Sequence, residues 1–319
     1  MDVLAAVGTA MQETRARILD ALTEGPVGGP DLAERLDISR NAVWKHIDTL
    51  RDAGFDIDSG DDGYHLSAVP EYGAPALAFG LEPAFDIECH GSIDSTNRRA
   101  RELAGEGASD TVVVADKQTG GRGRLDRGWV SPSGGVWLSI LQRPDLPPHR
   151  VPAFTLAGAV ATTRAVREQG VEATIKWPND VQVEGKKLAG VLTEMEGEAD
   201  RVSWLVVGIG LNANVDVADL PAEQPATSLR AEIGDVNRRE LVQRLLAEFA
   251  ELTANPDAIV PAWRAYATTL GQRVRVDTGS KKIVGEAVDI ESPGTLVVET
   301  DEGRVEVTTG DCEHLRPAD

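Results

Sequence analysis

Three glycines and two arginines fall within the segment Lys117-Gln118-Thr119-Gly120-Gly121-Arg122-Gly123-Arg124. Glycine lets backbone N–H groups come close to a ligand and reach positive φ. Arginine adds a planar, permanent charge that suits carboxylate and phosphate. In a chain of net charge −20, such a loop is suited to holding an anion. It is not a P-loop, because the GxxxxGK[ST] spacing is absent. The apolar run Thr111-Val112-Val113-Val114-Ala115 before it reads as a buried strand. The loop therefore leaves a strand end, where α/β sheets commonly place ligands. Taken alone, it reads equally as an anion holder or as a Gly-rich surface loop with solvated arginines.

Four further motifs carry candidate chemistry. Asp94-Ser95-Thr96-Asn97 opens a helix. It serves as an N-cap, and its hydroxyl and amide groups, with Gln118, could also satisfy the donors and acceptors of a polar ring. Lys176-Trp177-Pro178-Asn179-Asp180 brackets a turn, with Lys176 and Asp180 placed to pair. It reads either as a structural corner or as a catalytic element. Lys186-Lys187-Leu188-Ala189-Gly190 starts a strand after the turn Glu184-Gly185. A lysine there projects a point charge able to contact a carboxylate and a phosphate together, and Gly190 clears space above the strand. Gly208-Ile209-Gly210-Leu211-Asn212 ends a strand but lacks the third glycine and helix of a dinucleotide fingerprint.

The elements around these motifs suggest three domains. Apolar periodicity over 12–54, with Ser39 as an N-cap for a helix at 40–51, predicts a helix followed by a helix-turn-helix. The turn Gly60-Asp61-Asp62-Gly63 adds a hairpin, so residues 1–66 read as a winged helix-turn-helix. Its second motif helix carries Arg40, Asn41, Lys45, His46 and Arg51. Residues 67–84, with three prolines and two glycines, read as a linker. Residues 85–268 mix helices (96–104, 153–168, 238–252, 256–268) with strands (111–116, 136–142, 173–177, 181–183, 188–195, 202–209). Residues 269–319 alternate apolar and polar positions between Gly-containing turns, which predicts a small β-barrel of about five strands.

Composition narrows the classes. No apolar run reaches transmembrane length, and the N-terminus lacks a basic start followed by an apolar block. Membrane and secretory roles are therefore not expected, and the setting is expected to be cytoplasmic. Cys89 and Cys312 form no disulfide framework, and the five histidines lack metal-ligand spacing, so no structural metal is expected. Acidic residues outnumber basic ones 52 to 32, spread along the chain. That surface suits concentrated salt, where repulsion is screened, and points to a halophilic habitat. Only seven lysines are present, yet three of them lie between Lys176 and Lys187, where a random scatter would put well under one.

The order of the five motifs resembles that of biotin–protein ligases, specifically the bifunctional type that is also a biotin-responsive repressor. The resemblance spans essentially the whole chain. It implies an α+β protein with an N-terminal winged helix-turn-helix, a central mixed α/β ligase domain of class II synthetase-like fold and a C-terminal SH3-like β-barrel. It implies ATP-dependent activation of biotin to biotinyl-5′-AMP, with Mg²⁺ accompanying ATP, and transfer to a lysine of a biotin carboxyl carrier protein. By motif match, Ser95, Thr96, Asn97 and Gln118 line the biotin pocket, and Arg122, Gly123 and Arg124 close over biotin and the adenylate. Lys187 matches the family's key lysine, while Gly121, Arg124, Lys187 and Asn212 lie near the nucleotide. The catalytic set is Lys187, Arg122 and Arg124. The helix-turn-helix implies operator DNA as a partner, read by Arg40, Asn41, Lys45 and His46, and a ligand-promoted homodimer.

Two other readings share these features: a ligand-sensing regulator without catalysis, and a lipoate–protein ligase. The full set of motif lysines and arginines favours catalysis; the winged helix and the Gly-Arg loop favour biotin. Over residues 1–66 there are 6 basic and 13 acidic residues, giving 6 − 13 = −7. DNA affinity rests mostly on phosphate contacts, so a dimerisation module is the alternative for this domain. The acidic surface generates one prediction: the melting temperature should rise from dilute buffer to molar potassium chloride. Calorimetry showing no rise would remove the case for adaptation to salt.

Overall fold

The computed structural model describes residues 2–82, 85–222 and 225–315, with side chains from residue 13 onward except at 126. It separates into two compact units, Met1–Glu82 and Pro83–Asp319.

The first unit contains α1 (Asp2–Thr23), α2 (Gly29–Leu36), α3 (Arg40–Asp52), β1 (Asp56–Gly60), β2 (Gly63–Ala68) and α4 (Ala74–Ala78). Ile18, Leu19 and Leu22 from α1 meet Leu32, Val43, Ile47 and Leu50 in one core. Asp37, in the left-handed conformation at φ 53°, ends α2, and the Ser39 hydroxyl caps α3 by accepting from the Ala42 N–H at 3.1 Å. The α2–α3 turn thus follows from two local choices. Val27 pairs with Tyr64 in a single antiparallel bridge beside the hairpin, which no periodicity announces. Gly63 makes that pairing possible: its φ is +121°, and a Cβ there would lie 2.3 Å from the Val27 carbonyl oxygen. Arg51, one of the basic residues on α3, donates from Nε to the Ile57 carbonyl at 2.8 Å and ties α3 to β1. The segment expected to be a linker, 67–84, contains α4, whose Ala76 joins the core with Val69 and Phe79 packed beside it. Its last two positions lie outside the described residues.

The second unit is built on a seven-stranded sheet. Its strands are β3 (Asp86–His90), β4 (Thr111–Ala115), β5 (Val136–Gln142), β6 (Thr174–Lys176), β7 (Asp180–Val183), β8 (Lys186–Gly197) and β9 (Val202–Leu211). They lie in the order β3-β4-β5-β9-β8-β7-β6. Only β3 and β4 run parallel, joined by α5 (Thr96–Gly105); the other neighbours are antiparallel. α6 (Pro152–Glu168) packs on the sheet through Gly158, where a Cβ would lie 3.1 Å from Val191 and 3.3 Å from Val207. Side chains alternate across a strand, so the intervening Gly190, Gly208 and Gly210 belong to the opposite face. α8 (Arg238–Ala254) and α9 (Ile259–Tyr266) pack against α6, whereas α7 (Leu229–Ile233) begins beside the end of β9, where the Leu229 N–H donates to the Asn212 carbonyl at 2.9 Å. The helix expected over 256–268 stops at Tyr266, because Thr268 leaves it to donate to the Ile175 carbonyl at 2.9 Å.

A five-stranded antiparallel sheet completes this unit: β10 (Arg273–Asp277), β11 (Lys282–Glu291), β12 (Thr295–Thr300), β13 (Gly303–Val307) and β14 (Asp311–His314), in the order β13-β12-β11-β10-β14. Trp177 secures it to the larger sheet. Its indole is fully buried and donates to the Gly294 carbonyl at 3.0 Å, while its backbone N–H donates to the Thr269 hydroxyl at 2.9 Å.

Candidate active site

One cavity of about 360 Å³ lies on the glycine-bearing face of the large sheet. Its polar wall begins at the N-terminus of α5. Ser95 caps that helix, accepting from the Arg98 N–H at 3.4 Å. The backbone N–H of Thr96, one of the helix's unpaired donors, goes to Gln118 Oε1 at 2.8 Å. Gln118 Nε2 donates to the Ser131 hydroxyl at 3.0 Å, and backbone pairing of Gln118 with Ser131 closes the base of the Gly-Arg loop. Ser139 of β5 is fully buried and donates to Asn97 Oδ1 at 2.6 Å.

The floor is a strip of strand without side chains. Gly190 on β8 and Gly210 on β9 are direct cross-strand partners, and Gly208 lies two residues back on the same face. A Cβ on Gly208 would lie 2.0 Å from Asn97 Oδ1, and one on Gly210 would lie 2.5 Å from Trp129 Nε1. The two glycines of the Gly-Ile-Gly-Leu-Asn motif are therefore slots, one for an amide and one for an indole. A Cβ on Gly190 would press on the same indole at 3.2 Å.

Cationic groups gather at the other end. Lys187 Nζ sits 2.6 Å from Asp180 Oδ1 and 5.1 Å from the centre of the Trp129 ring. Arg124 donates to Asn179 Oδ1 at 3.1 Å and to the Gly310 carbonyl at 2.9 Å. Burial pushes its pKa down, partly opposed by Asp180 and Asp311, but a guanidinium starts high enough to stay charged. Arg127 pairs with Asp311 at 2.5 Å, so the small C-terminal sheet supplies part of the rim. The pairing expected between Lys176 and Asp180 is not what forms. The β6–β7 register sets their backbones opposite each other, but the Asp180 carboxylate turns to Lys187 on the neighbouring strand.

Ser95, Thr96, Asn97, Gln118, Arg122, Gly123, Arg124, Lys187 and Asn212 all border this cavity. Gly121 does not: a Cβ there would lie 2.5 Å from the Trp129 carbonyl oxygen, so its glycine serves the fold of the loop. Asn212 donates to the Thr227 carbonyl at 3.0 Å, and its buried Oδ1 accepts from no group among the described residues. Sequence reasoning missed Trp129, Arg127 and Asp311, and it included Asn179 in a candidate motif without giving it a role. Trp129 had a signal, as a tryptophan closing an Arg-rich segment; Asp311 had none. In the first unit, Arg40, Asn41 and Lys45 are exposed on α3 and His46 is half-buried. Burial, then the nearby Arg15 charge, lowers the His46 pKa. Trp44 joins the exposed set at 52% exposure, an apolar surface on a helix otherwise polar there.

Three family models match the chain. One, described as the biotin/lipoate A/B protein ligase family, covers residues 91–212. A biotin protein ligase C terminal domain covers 269–315 and an HTH domain 14–65. The chain is 38% identical over 303 residues to the bifunctional ligase/repressor BirA of Bacillus subtilis (strain 168), covering 90% of this chain and 93% of that one. This chain belongs to the bifunctional biotin–protein ligase/repressor family. BirA of Escherichia coli (strain K12) is 29% identical over 282 residues, 86% of this chain and 88% of its own. Among solved structures, the biotin protein ligase from Aquifex aeolicus in complex with biotin and ATP matches with a TM-score of 0.61. It is 29% identical and covers 73% of this chain and 99% of its own. The Gly210 slot generates a prediction: Gly210→Ala should displace the Trp129 indole toward solvent. Acrylamide quenching should then reach a larger fraction of the tryptophan fluorescence; an unchanged quenching curve would show that the slot is not needed.

Proposed function

We propose that this chain joins biotin to ATP, forming biotinyl-5′-AMP and pyrophosphate, and passes the biotinyl group to a lysine of a biotin carboxyl carrier protein. The observation that carries the reading is one cavity with a neutral polar wall at one end and Lys187, Arg122 and Arg124 at the other. A biotin molecule has that polarity, with a cyclic urea at one end and a carboxylate at the other.

In the first step a carboxylate oxygen attacks the α-phosphorus, and the bond to the leaving pyrophosphate breaks. Two anions must approach, so cationic groups have to offset their repulsion and the charge that develops. Lys187 moves from Asp180 to bridge the carboxylate and the α-phosphate. Arg124, held by Asn179 and Gly310, faces the phosphate with its orientation already set. Arg122, exposed on the loop, closes over both. Mg²⁺ enters with ATP as part of the substrate, held by phosphates and water. In the second step the carrier's lysine amine attacks the biotinyl carbonyl carbon, and AMP leaves with the oxygen. The loop shields the mixed anhydride from water between the steps. Ser95, Thr96, Asn97 and Gln118 hold biotin; Asn212, with an acceptor still free, sits toward the nucleotide, and Gly121, off the cavity, shapes the loop.

The first unit binds operator DNA in this proposal, through Arg40, Asn41 and Lys45 on α3, and the ligand-loaded protein forms a homodimer in the cytoplasm of a salt-adapted cell. Family membership and the exposure of those three side chains support this reading.

Two tests follow. Lys187→Ala should lower pyrophosphate release from biotin and ATP by roughly a hundredfold to a thousandfold, the usual cost of one transition-state charge partner. Near-normal release would remove Lys187 from the reaction. In a gel-shift titration, biotin plus ATP should strengthen operator binding, and affinity should fall as salt rises. Binding that ignores both would make the first unit a module for something other than DNA.

A further inference from the structure

The polar wall has a second layer. Glu194 lies on β8, two residues beyond the cavity-lining Leu192 and on the same face of the strand. Its two carboxylate oxygens have different partners on α5. Oε2 accepts from Asn97 Nδ2 at 2.7 Å, and Oε1 pairs with Arg101 at 3.3 Å. Asn97 and Arg101 are one helical turn apart, so a single carboxylate meets both.

A carboxylate accepts and never donates. The Asn97 amide must therefore turn its NH₂ toward Glu194 and its oxygen toward Ser139. Ser139 has one proton, and it goes to Asn97 Oδ1 at 2.6 Å. The Ser139 oxygen is then an acceptor for the Thr96 hydroxyl, 2.8 Å away. Thr96 can alternatively give its proton to Gln118 Oε1 at 3.1 Å. Either way that proton is spent inside the wall, and Thr96 offers lone pairs to the cavity. At the far end the Thr96 backbone N–H fixes Gln118 Oε1, which turns the Gln118 NH₂ to Ser131. With Asn97 reversed, its oxygen would face Glu194 at 2.7 Å, and Ser139 would have to accept from the amide and give its own proton to Thr96. Ser139 would change direction, and Thr96, now accepting from it, would have its proton left for Gln118 or for the cavity.

We propose that Glu194 is a positioning residue that fixes the donor and acceptor polarity of this wall through Asn97, and so sets the preference for the urea group of biotin. The inference rests on the ligase reading above. It assigns Glu194 no contact with substrate; the residue acts through Asn97.

The test compares Glu194→Leu, Glu194→Gln and Arg101→Met with the unaltered full-length protein. Pyrophosphate release gives KM for biotin, KM for ATP and kcat; calorimetry gives the biotin Kd. Each protein is also assayed with 2-iminobiotin, which carries an N–H donor in place of the urea oxygen. Glu194→Leu should raise KM and Kd for biotin at least tenfold and leave KM for ATP within twofold. Its preference for biotin over 2-iminobiotin should shrink at least fivefold. Glu194→Gln can still present an oxygen to Asn97, so its biotin KM should stay within threefold. Arg101→Met breaks the ion pair and spares the amide, so it should behave like Glu194→Gln. Unchanged preference between the two acids in Glu194→Leu overturns the proposal. So does a parallel loss of kcat and both KM values with a lower melting temperature, which marks a purely structural role. If Glu194→Leu does not fold, Arg101→Met and Glu194→Gln decide: a biotin KM raised tenfold in either would assign the effect to the ion pair and overturn the proposal. An unaltered protein that releases no pyrophosphate from biotin and ATP fails the ligase reading itself.

Discussion

The site depends on a strip of β-sheet that carries no side chains. Gly190, Gly208 and Gly210 leave the middle of two adjacent strands bare on one face, and groups from elsewhere settle onto the backbone. Asn97 fills one slot and Trp129 another, and the Lys187 ammonium lies over the Trp129 ring. Glycine inside a strand costs about 0.5–1 kcal/mol relative to alanine. The other face offsets that cost, because Val191, Val207 and Ile209 alternate with the glycines and are buried. One strand segment thus meets two demands, a packed hydrophobic layer on one side and a ligand floor on the other.

Charge is arranged with the same economy. A chain with twenty more acidic than basic residues gathers several cations at one cavity, and three of them have partners there. Lys187 has Asp180, Arg127 has Asp311, and Arg124 has a side-chain amide and a backbone carbonyl. Asn179 and Gly310 hold the Arg124 guanidinium in place before substrate arrives, which lowers the reorganisation that charge stabilisation requires. The Arg127–Asp311 pair is about half exposed on both sides, and such pairs contribute about 1 kcal/mol or less. It can therefore open and close cheaply. Two of these partners belong to the C-terminal sheet, which Trp177 secures to the larger one, so the small sheet is part of the site's rim.

The strong periodicities were readable. The α5 and α6 helices, the strands from β4 to β9 and the alternating C-terminal strands stand within a few residues of where the apolar pattern puts them. The misses have local causes. β3, Asp-Ile-Glu-Cys-His, has too little apolar character to register as more than an extended segment. The α4 helix hides among prolines and is helical because Ala76 finds the core. Lys176 and Asp180 face each other in sequence and in backbone register, yet Lys187 takes the carboxylate, since adjacent strands offer a nearer cation. Trp129 escapes a local reading because its indole settles against Gly190 and Gly210, 61 and 81 residues away in sequence.

Residue type and spacing alone determined that this chain has a Gly-Arg loop, a polar helix start, a retained lysine pair and a helix-turn-helix. Those are properties of short segments, set by backbone freedom, charge and capping chemistry, and they survive being read one at a time. The tertiary structure alone decided which of them meet. It put Asn97 into the slot of Gly208, turned Asp180 to Lys187, brought Asp311 to Arg127 and set Glu194 behind the polar wall. Each of those contacts joins residues from different strands and helices, and its geometry follows from sheet order and register, which no local pattern encodes.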